Sequence, residues 1–362
     1  MKFFTEGTLA ERSSGRKNNV GTVQLLAALG VMYSHAFPIA QNSNAGELLL
    51  HLTGNRLSCG NTAVFIFLML SGYLVAGSYE RAGSFFAYIK KRVLRLLPAL
   101  LLALLFSTFV IGAIYTTLPL GEYLRSPATW QYLKNILLYP LYWNLPGVFE
   151  GNVYSASVNG ALWTIPYQFG LYVALGVVGA AGLLKSKKFS VGTFLVLALL
   201  YYRSGQLLPE SMTHFMLMPI GDWFKLGLYF TAGVCAYNFQ DKILLSWRGA
   251  ALSMILLTLS VSYYQLTEMG LVIFGTYAVL FLCFGMMQIR LPFSHLSYEI
   301  YLLGFPIQQA VTASFGGKMH PYLNMLIAIP ITLALAFLME RFCERTLLCL
   351  LAGKPKAQTI HA

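Results

Sequence analysis

Residues 95–117 read RLLPALLLALLFSTFVIGAIYTT, and no charged residue follows Arg95 until Glu122. A helix needs roughly 20 apolar residues to cross the hydrocarbon core of a bilayer, and this stretch supplies them. The rest of the chain has the same character. Hydrophobic residues make up 57% of the 362 and charged residues 10%, and the mean hydropathy is +0.63. A soluble domain of this size needs far more charge to cover its surface. Chemistry and length together predict an all-α fold, a polytopic membrane helix bundle in contact with the lipid bilayer.

Working outward from that stretch, apolar runs place about ten transmembrane helices near 20–39, 62–79, 95–117, 161–184, 189–203, 222–240, 248–265, 269–289, 296–315 and 321–343. A further run, 133–143, is too short to cross and is expected at the interface or as a re-entrant segment. The predicted organisation is a cytoplasmic N-terminal segment, 1–19, one membrane domain over 20–350, and a cytoplasmic tail, 351–362. The first apolar run begins near Val20, after the basic residues Arg12, Arg16 and Lys17. No small-residue cleavage site follows it, so it reads as a retained span and not a signal peptide.

Lysine and arginine orient the bundle. With the N-terminus inside, 19 of the 25 basic residues fall on the cytoplasmic side. Arg56, Arg125, Lys134, Arg203, Lys225 and Lys318 are left outside. The prediction is N-in and C-in. The formal net charge of +12 does not point to nucleic acid, because the cations cluster at the ends of apolar runs. Cys59, Cys235, Cys283, Cys343 and Cys349 are scattered and form no metal-binding spacing, so they read as small hydrophobes and no metal is expected.

Polar residues within spans are costly and are candidates for function. His35 sits near the outer end of the first span. It reads either as an interfacial or hydrogen-bonded histidine, or as a general base, since imidazole titrates near neutral pH. Arg92 and Arg95 share a helix face at i and i+3. They read either as a positive-inside anchor or as a phosphate clamp, for which the planar guanidinium fork is suited. Pro166 and Gln168, in Leu162-Trp163-Thr164-Ile165-Pro166-Tyr167-Gln168, read as a kink or as a cavity lining. Glu299, in Ser297-Tyr298-Glu299-Ile300-Tyr301 ahead of Phe305-Pro306-Ile307-Gln308-Gln309, reads as interfacial or as part of a site.

In order and context these segments resemble the acyltransferase 3 family, bacterial membrane enzymes that O-acylate sugars of the cell envelope. The resemblance is carried by Asn18-Asn19 through His35-Ala36-Phe37-Pro38, by Phe65-Ile66-Phe67-Leu68-Met69-Leu70-Ser71-Gly72-Tyr73-Leu74, and by Arg92-x-x-Arg95 before Pro98. Further matches are Ala128-Thr129-Trp130, Leu145-Pro146-Gly147-Val148-Phe149, Asn159-Gly160-Ala161-Leu162-Trp163-Thr164, and the region of Ser297-Tyr298 and Pro306. What it implies is transfer of an acyl group, most plausibly acetyl, from acyl-CoA (acetyl-CoA) to a carbohydrate or lipid-linked glycan, in the bacterial inner (plasma) membrane. His35 would be the catalytic histidine, Arg92 and Arg95 would receive the donor phosphates, and Ser71, Gly72 and Tyr73 would lie along the donor path.

His35 is about 15 residues into its span, roughly 22 Å above the cytoplasmic start, so a donor held by Arg92 and Arg95 must reach it with a long arm. The family pattern carries an arginine where this chain has Gln24, an aspartate at Gly21, a glutamate at Gln168, a glycine at Glu299, and E-K-P where Glu344 begins E-R-T. By depth, Gln168 is expected beside His35 and not beside Gln24. There a glutamine orients the imidazole without stabilising its charged form. The rival readings are a degenerate, catalytically weak relative and a polytopic transporter or exporter of an envelope precursor.

Overall fold

The computed structural model describes residues 6–15, 17–155, 157–207, 214–215 and 218–344. The tail 351–362, Cys349, and the basic residues Lys2, Arg16, Arg345, Lys354 and Lys356 lie outside the described residues, as does the side chain of Glu344. The described chain is mostly helical. Its principal helices are α1 (Val20–Gln41), α2 (Cys59–Ala82), α3 (Phe85–Phe106, continued through π and α turns to Tyr115), α4 (Thr164–Ala180), α5 (Lys187–Leu207), α6 (Ile220–Asn238), α7 (Trp247–Val261), α8 (Tyr264–Gly285, with two π segments), α9 (Ser297–Ser314) and α10 (Pro321–Leu338). The remaining regular structure is short helical turns and two pairings of two-residue strands.

Six helical stretches are long and apolar enough to cross a membrane: Val20–Gln41, Cys59–Ala82, Phe85–Tyr115, Gly160–Ala180, Tyr264–Gly285 and Pro321–Arg341. Helices also stand where the other four spans are expected, but each falls short of that test, and the residues say why. α5 carries Lys187, Lys188 and Arg203; α6 carries Asp222 and Lys225; α9 carries Glu299, Gln308 and Gln309. α7 has 15 residues, about 22 Å of rise against a core of about 30 Å. The expected span 248–265 is in fact broken at Ser262-Tyr263, where a new helix starts at Tyr264. Among the described residues the run 133–143 forms only a short 3-10 helix, Leu133–Leu137, before irregular chain.

The chain divides into two compact units. The first comprises Met1–Ala27, Leu48–Ile89 and Tyr167–Ser294. Its centre is the crossing of α2 and α6, where glycines let two backbones touch. A Cβ on Gly72 would stand 2.0 Å from the Phe230 carbonyl oxygen, and one on Gly233 would stand 1.9 Å from that of Met69. Without water to drive association, membrane helices gain by close van der Waals packing of this kind. The N-terminal segment is part of this unit. Leu9–Ser13 forms a helix with a Thr8/Glu11 capping box, Gly7–Thr8 pairs with Leu244–Leu245, and Leu9 is fully buried. Asn19 and Thr22 hold the chain after α8: Asn19 donates to the carbonyls of Leu282 and Met287, and Thr22 donates to that of Ile289.

The second unit comprises Ala28–Glu47, Lys90–Pro166 and His295–Ala362. α9 is its axis, with nearly every residue from Ser297 to Thr312 buried. Buried polar groups in a membrane must find partners, and most of those on α9 do. Gln309 donates to the carbonyls of Tyr154 and Ser157, and Asn152 donates to the Gln309 side-chain oxygen. Asn159 donates to the Leu302 carbonyl, and Tyr301 to that of Ala161. These bonds tie the long segment between α3 and α4 onto α9. Gly147, at φ 71°, makes the turn in that segment where Thr116 donates to the Pro146 carbonyl.

Candidate active site

His35 lies on α1 in the second unit, half-buried. Its ring meets Phe305 of α9 edge-on at 5.1 Å, and Phe305 in turn contacts Tyr154 at 6.0 Å. Phe305 is held by its surroundings, since a Cβ on Gly160 would stand 2.7 Å from that ring. One turn earlier on α1, Met32 packs against Gly304, and its carbonyl accepts a hydrogen bond from Gln308 at 2.8 Å. Thus α1 and α9 are joined immediately beside His35. The imidazole itself makes no hydrogen bond among the described residues.

The same helix reaches Arg95. Arg95, exposed, places its guanidinium 6.0 Å from the ring centroid of Tyr298, and the Tyr298 hydroxyl donates to the Leu96 carbonyl at 3.2 Å. Arg92 is half-buried one turn earlier on α3. Tyr298 and Phe305 are seven residues apart on α9, two turns or about 10 Å of rise. Three expected site residues, His35, Arg92 and Arg95, therefore belong to one unit, and two of them, His35 and Arg95, meet rings of α9. Glu299, next to Tyr298, is 1% exposed, and its Oε2 has no hydrogen-bond partner among the described residues.

Ser71, Gly72, Tyr73 and Gln168 belong to the first unit. Gln168 donates to the hydroxyl of Tyr172 at 2.8 Å and to that of Ser71 at 3.3 Å, and Tyr172 donates to Ser71 at 3.3 Å. Gln24, in the same unit, makes no bond to this triangle. Tyr73 donates to Gln240 at 3.2 Å and packs between Tyr237 and Phe284. The space beside Gly72 is filled by the α6 backbone, so its missing side chain serves helix packing and does not open a channel. At Gly21 a Cβ would stand 2.9 Å from the Ser294 carbonyl oxygen. The loop between α8 and α9 thus occupies the room that an aspartate would need.

Phe305 and Tyr172 had no chemical signal of their own in the sequence, and Gln308 drew attention only as a polar residue within a span. Two of them lie within segments that drew attention for a proline or a glutamine, but which neighbour each would meet depends on helix pairing. Among the described residues no group of three His, Cys, Asp or Glu side chains could hold a metal ion.

The acyltransferase domain family model matches residues 19–341. The O-acetyl transferase of Shigella phage Sf6 is 27% identical over 346 residues, covering 92% of this chain and 96% of that protein. Nodulation protein 10 of Rhizobium leguminosarum bv. viciae is 31% identical over 173 residues, 47% of this chain and 46% of that protein. No solved structure matches the chain.

Proposed function

The chain belongs to the acyltransferase domain family known as acyltransferase 3 and is an acyltransferase, and from that premise we propose that it moves an acetyl group from acetyl-CoA to a hydroxyl of a cell-envelope carbohydrate. The observation that carries the reading is His35: a half-buried imidazole, edge-on to Phe305 of α9, without a hydrogen-bond partner among the described residues. Such a group is poised for an external partner. The similarity to an O-acetyl transferase over almost the whole chain supports acetyl as the group moved.

In this reading Arg92 and Arg95 bind the phosphates of the donor from the cytoplasm, and its pantetheine arm runs beside α9 toward Phe305. The acceptor oxygen attacks the thioester carbonyl carbon while its proton passes to His35. The carbon–sulfur bond then breaks, and the thiolate takes the proton from the imidazolium, leaving an ester and free coenzyme A. We place the bundle in the bacterial inner membrane with ten spans, N-in and C-in, because that arrangement puts the arginine pair on the side where acetyl-CoA is made.

The test is label transfer from acetyl-CoA to the carbohydrate fraction of membranes that contain the full chain. The expected result is incorporation by the wild type, and loss of 100-fold or more, on the order of a missing general base, in His35→Ala at equal protein level. Incorporation by His35→Ala at the wild-type rate would remove His35 from the reaction.

A further inference from the structure

Gln308 is fully buried on α9, and its side-chain amide is fixed by its neighbours. Its Nε2 donates to the Met32 carbonyl at 2.8 Å and to Asn324 Oδ1 at 3.1 Å. Asn324 is oriented by donating to the Gln308 carbonyl at 2.9 Å and to Thr312 Oγ1 at 3.0 Å. Turning the Gln308 amide over would set its oxygen against the Met32 carbonyl, so its orientation is not optional. The consequence is that Gln308 Oε1 is a buried acceptor with no donor among the described residues.

Its location gives that orphan meaning. In a helix the side chains at i+3 and i+4 flank the carbonyl of residue i. Those flanking the Met32 carbonyl belong to His35 and Ala36. The Gln308 amide head is therefore seated in the turn that carries His35, one turn along α9 from the ring His35 touches. On facing turns of two helices stand an imidazole without a partner and an amide oxygen without a donor, and the two are not bonded to each other. A single ligand that donates to both would satisfy both.

We propose that Gln308 is a specificity-determining residue for the acyl acceptor: its Oε1 accepts a hydrogen bond from a second hydroxyl adjacent to the one that gives its proton to His35. The ligand class is a vicinal diol, as a sugar ring presents. The donor's nearest N–H lies on the pantetheine arm, two methylenes from the sulfur, so a donor contact at Oε1 would show instead as a raised donor KM in Gln308→Met. Two neighbouring hydroxyls supply one proton for transfer and one donor to be read. The inference rests on His35 being the base, as in the function proposed above. A site built to receive a hydroxyl discriminates against an analogue that lacks it far more than an apolar pocket can, because the buried polar group is left unpaired.

The experiment uses the full chain in membranes, labelled acetyl-CoA, and two small acceptors, 1,2-propanediol and 1-propanol. We expect the wild type to acetylate the diol at least about 10-fold faster, with this ratio falling toward one in Gln308→Met and the donor KM unchanged. Asn324→Ala loosens the same network without removing Oε1. It reports the packing cost alone and is expected to keep the ratio even if both rates fall. A wild-type ratio near one, a ratio that persists in Gln308→Met, or labelling of the membrane carbohydrate with none of the diol would each overturn the proposal. Absence of all labelling in the wild type, or undiminished labelling in His35→Ala, would instead strike the underlying reading of the reaction.

Discussion

Two helical turns of Ser297–Ser314 separate the ring beneath Arg95 from the ring that His35 touches. If Arg95 holds donor phosphate, Arg95→Ala raises the donor KM about 10-fold or more in steady-state transfer assays, and the order of preference among acceptors does not change. Arg95→Lys recovers only part, because an ammonium on a flexible stem cannot reproduce the bidentate fork. Gln168 gives a different kind of prediction. Its amide donates to two hydroxyls that are also bonded to each other, and both can rotate to donate instead. Gln168→Glu is therefore expected to fold with little loss, whereas Gln168→Leu should cost about 1 kcal/mol in thermal unfolding in detergent. A large loss in the glutamate variant would mean that the triangle cannot reverse its donors.

At the scale of elements, the crossing of Cys59–Ala82 with Ile220–Asn238 depends on two glycines that face each other's backbones. What a side chain would meet at Gly72 and Gly233 is a carbonyl oxygen, about 2 Å away in both cases, and backbone cannot swing aside as a flexible side chain can. Gly72→Ala is expected to destabilise by about 1–3 kcal/mol or more, read as a lower melting temperature and a reduced yield of folded protein. Gly192 lies in open space, so Gly192→Ala is the matched control and should change neither. The Ser297–Ser314 helix shows the complementary strategy. Its glutamines would be expensive against lipid, and they are instead spent on carbonyls of the neighbouring chain. That is why this helix, expected as the span 296–315, sits almost wholly buried although it is more polar than the six apolar stretches.

At the scale of the whole molecule, the number of crossings decides on which side each loop lies. The ten-span arrangement puts Lys188 inside and Glu150 outside. A reporter fused after Lys188 is expected to be active only as a cytoplasmic enzyme, and one fused after Glu150 only as an external one. Signals on the same side at both sites would remove that arrangement. The short helices between Leu120 and Leu137 carry Arg125 and Lys134, which the same scheme keeps outside.

The class of the molecule was legible from residues 95–117 and their like, because hydrocarbon imposes a length and an apolarity that no other environment demands of a helix. His35, Arg92 and Arg95 stood out as candidates for the related reason that ionisable groups are rare in such segments and each needs an explanation. The break at Ser262-Tyr263 was not legible, since short polar turns between two apolar runs barely alter their composition. Nor was the work of Gly72 and Gly21, for a glycine announces freedom but not the backbone that will use it. The pairing of Gln168 with Ser71 and Tyr172, and of Gln308 with Met32 and Asn324, joins residues up to 276 positions apart. Which side chains meet across such separations is set by helix crossing and rotation. Those follow from the simultaneous packing of every helix, a property that no single stretch of the chain contains.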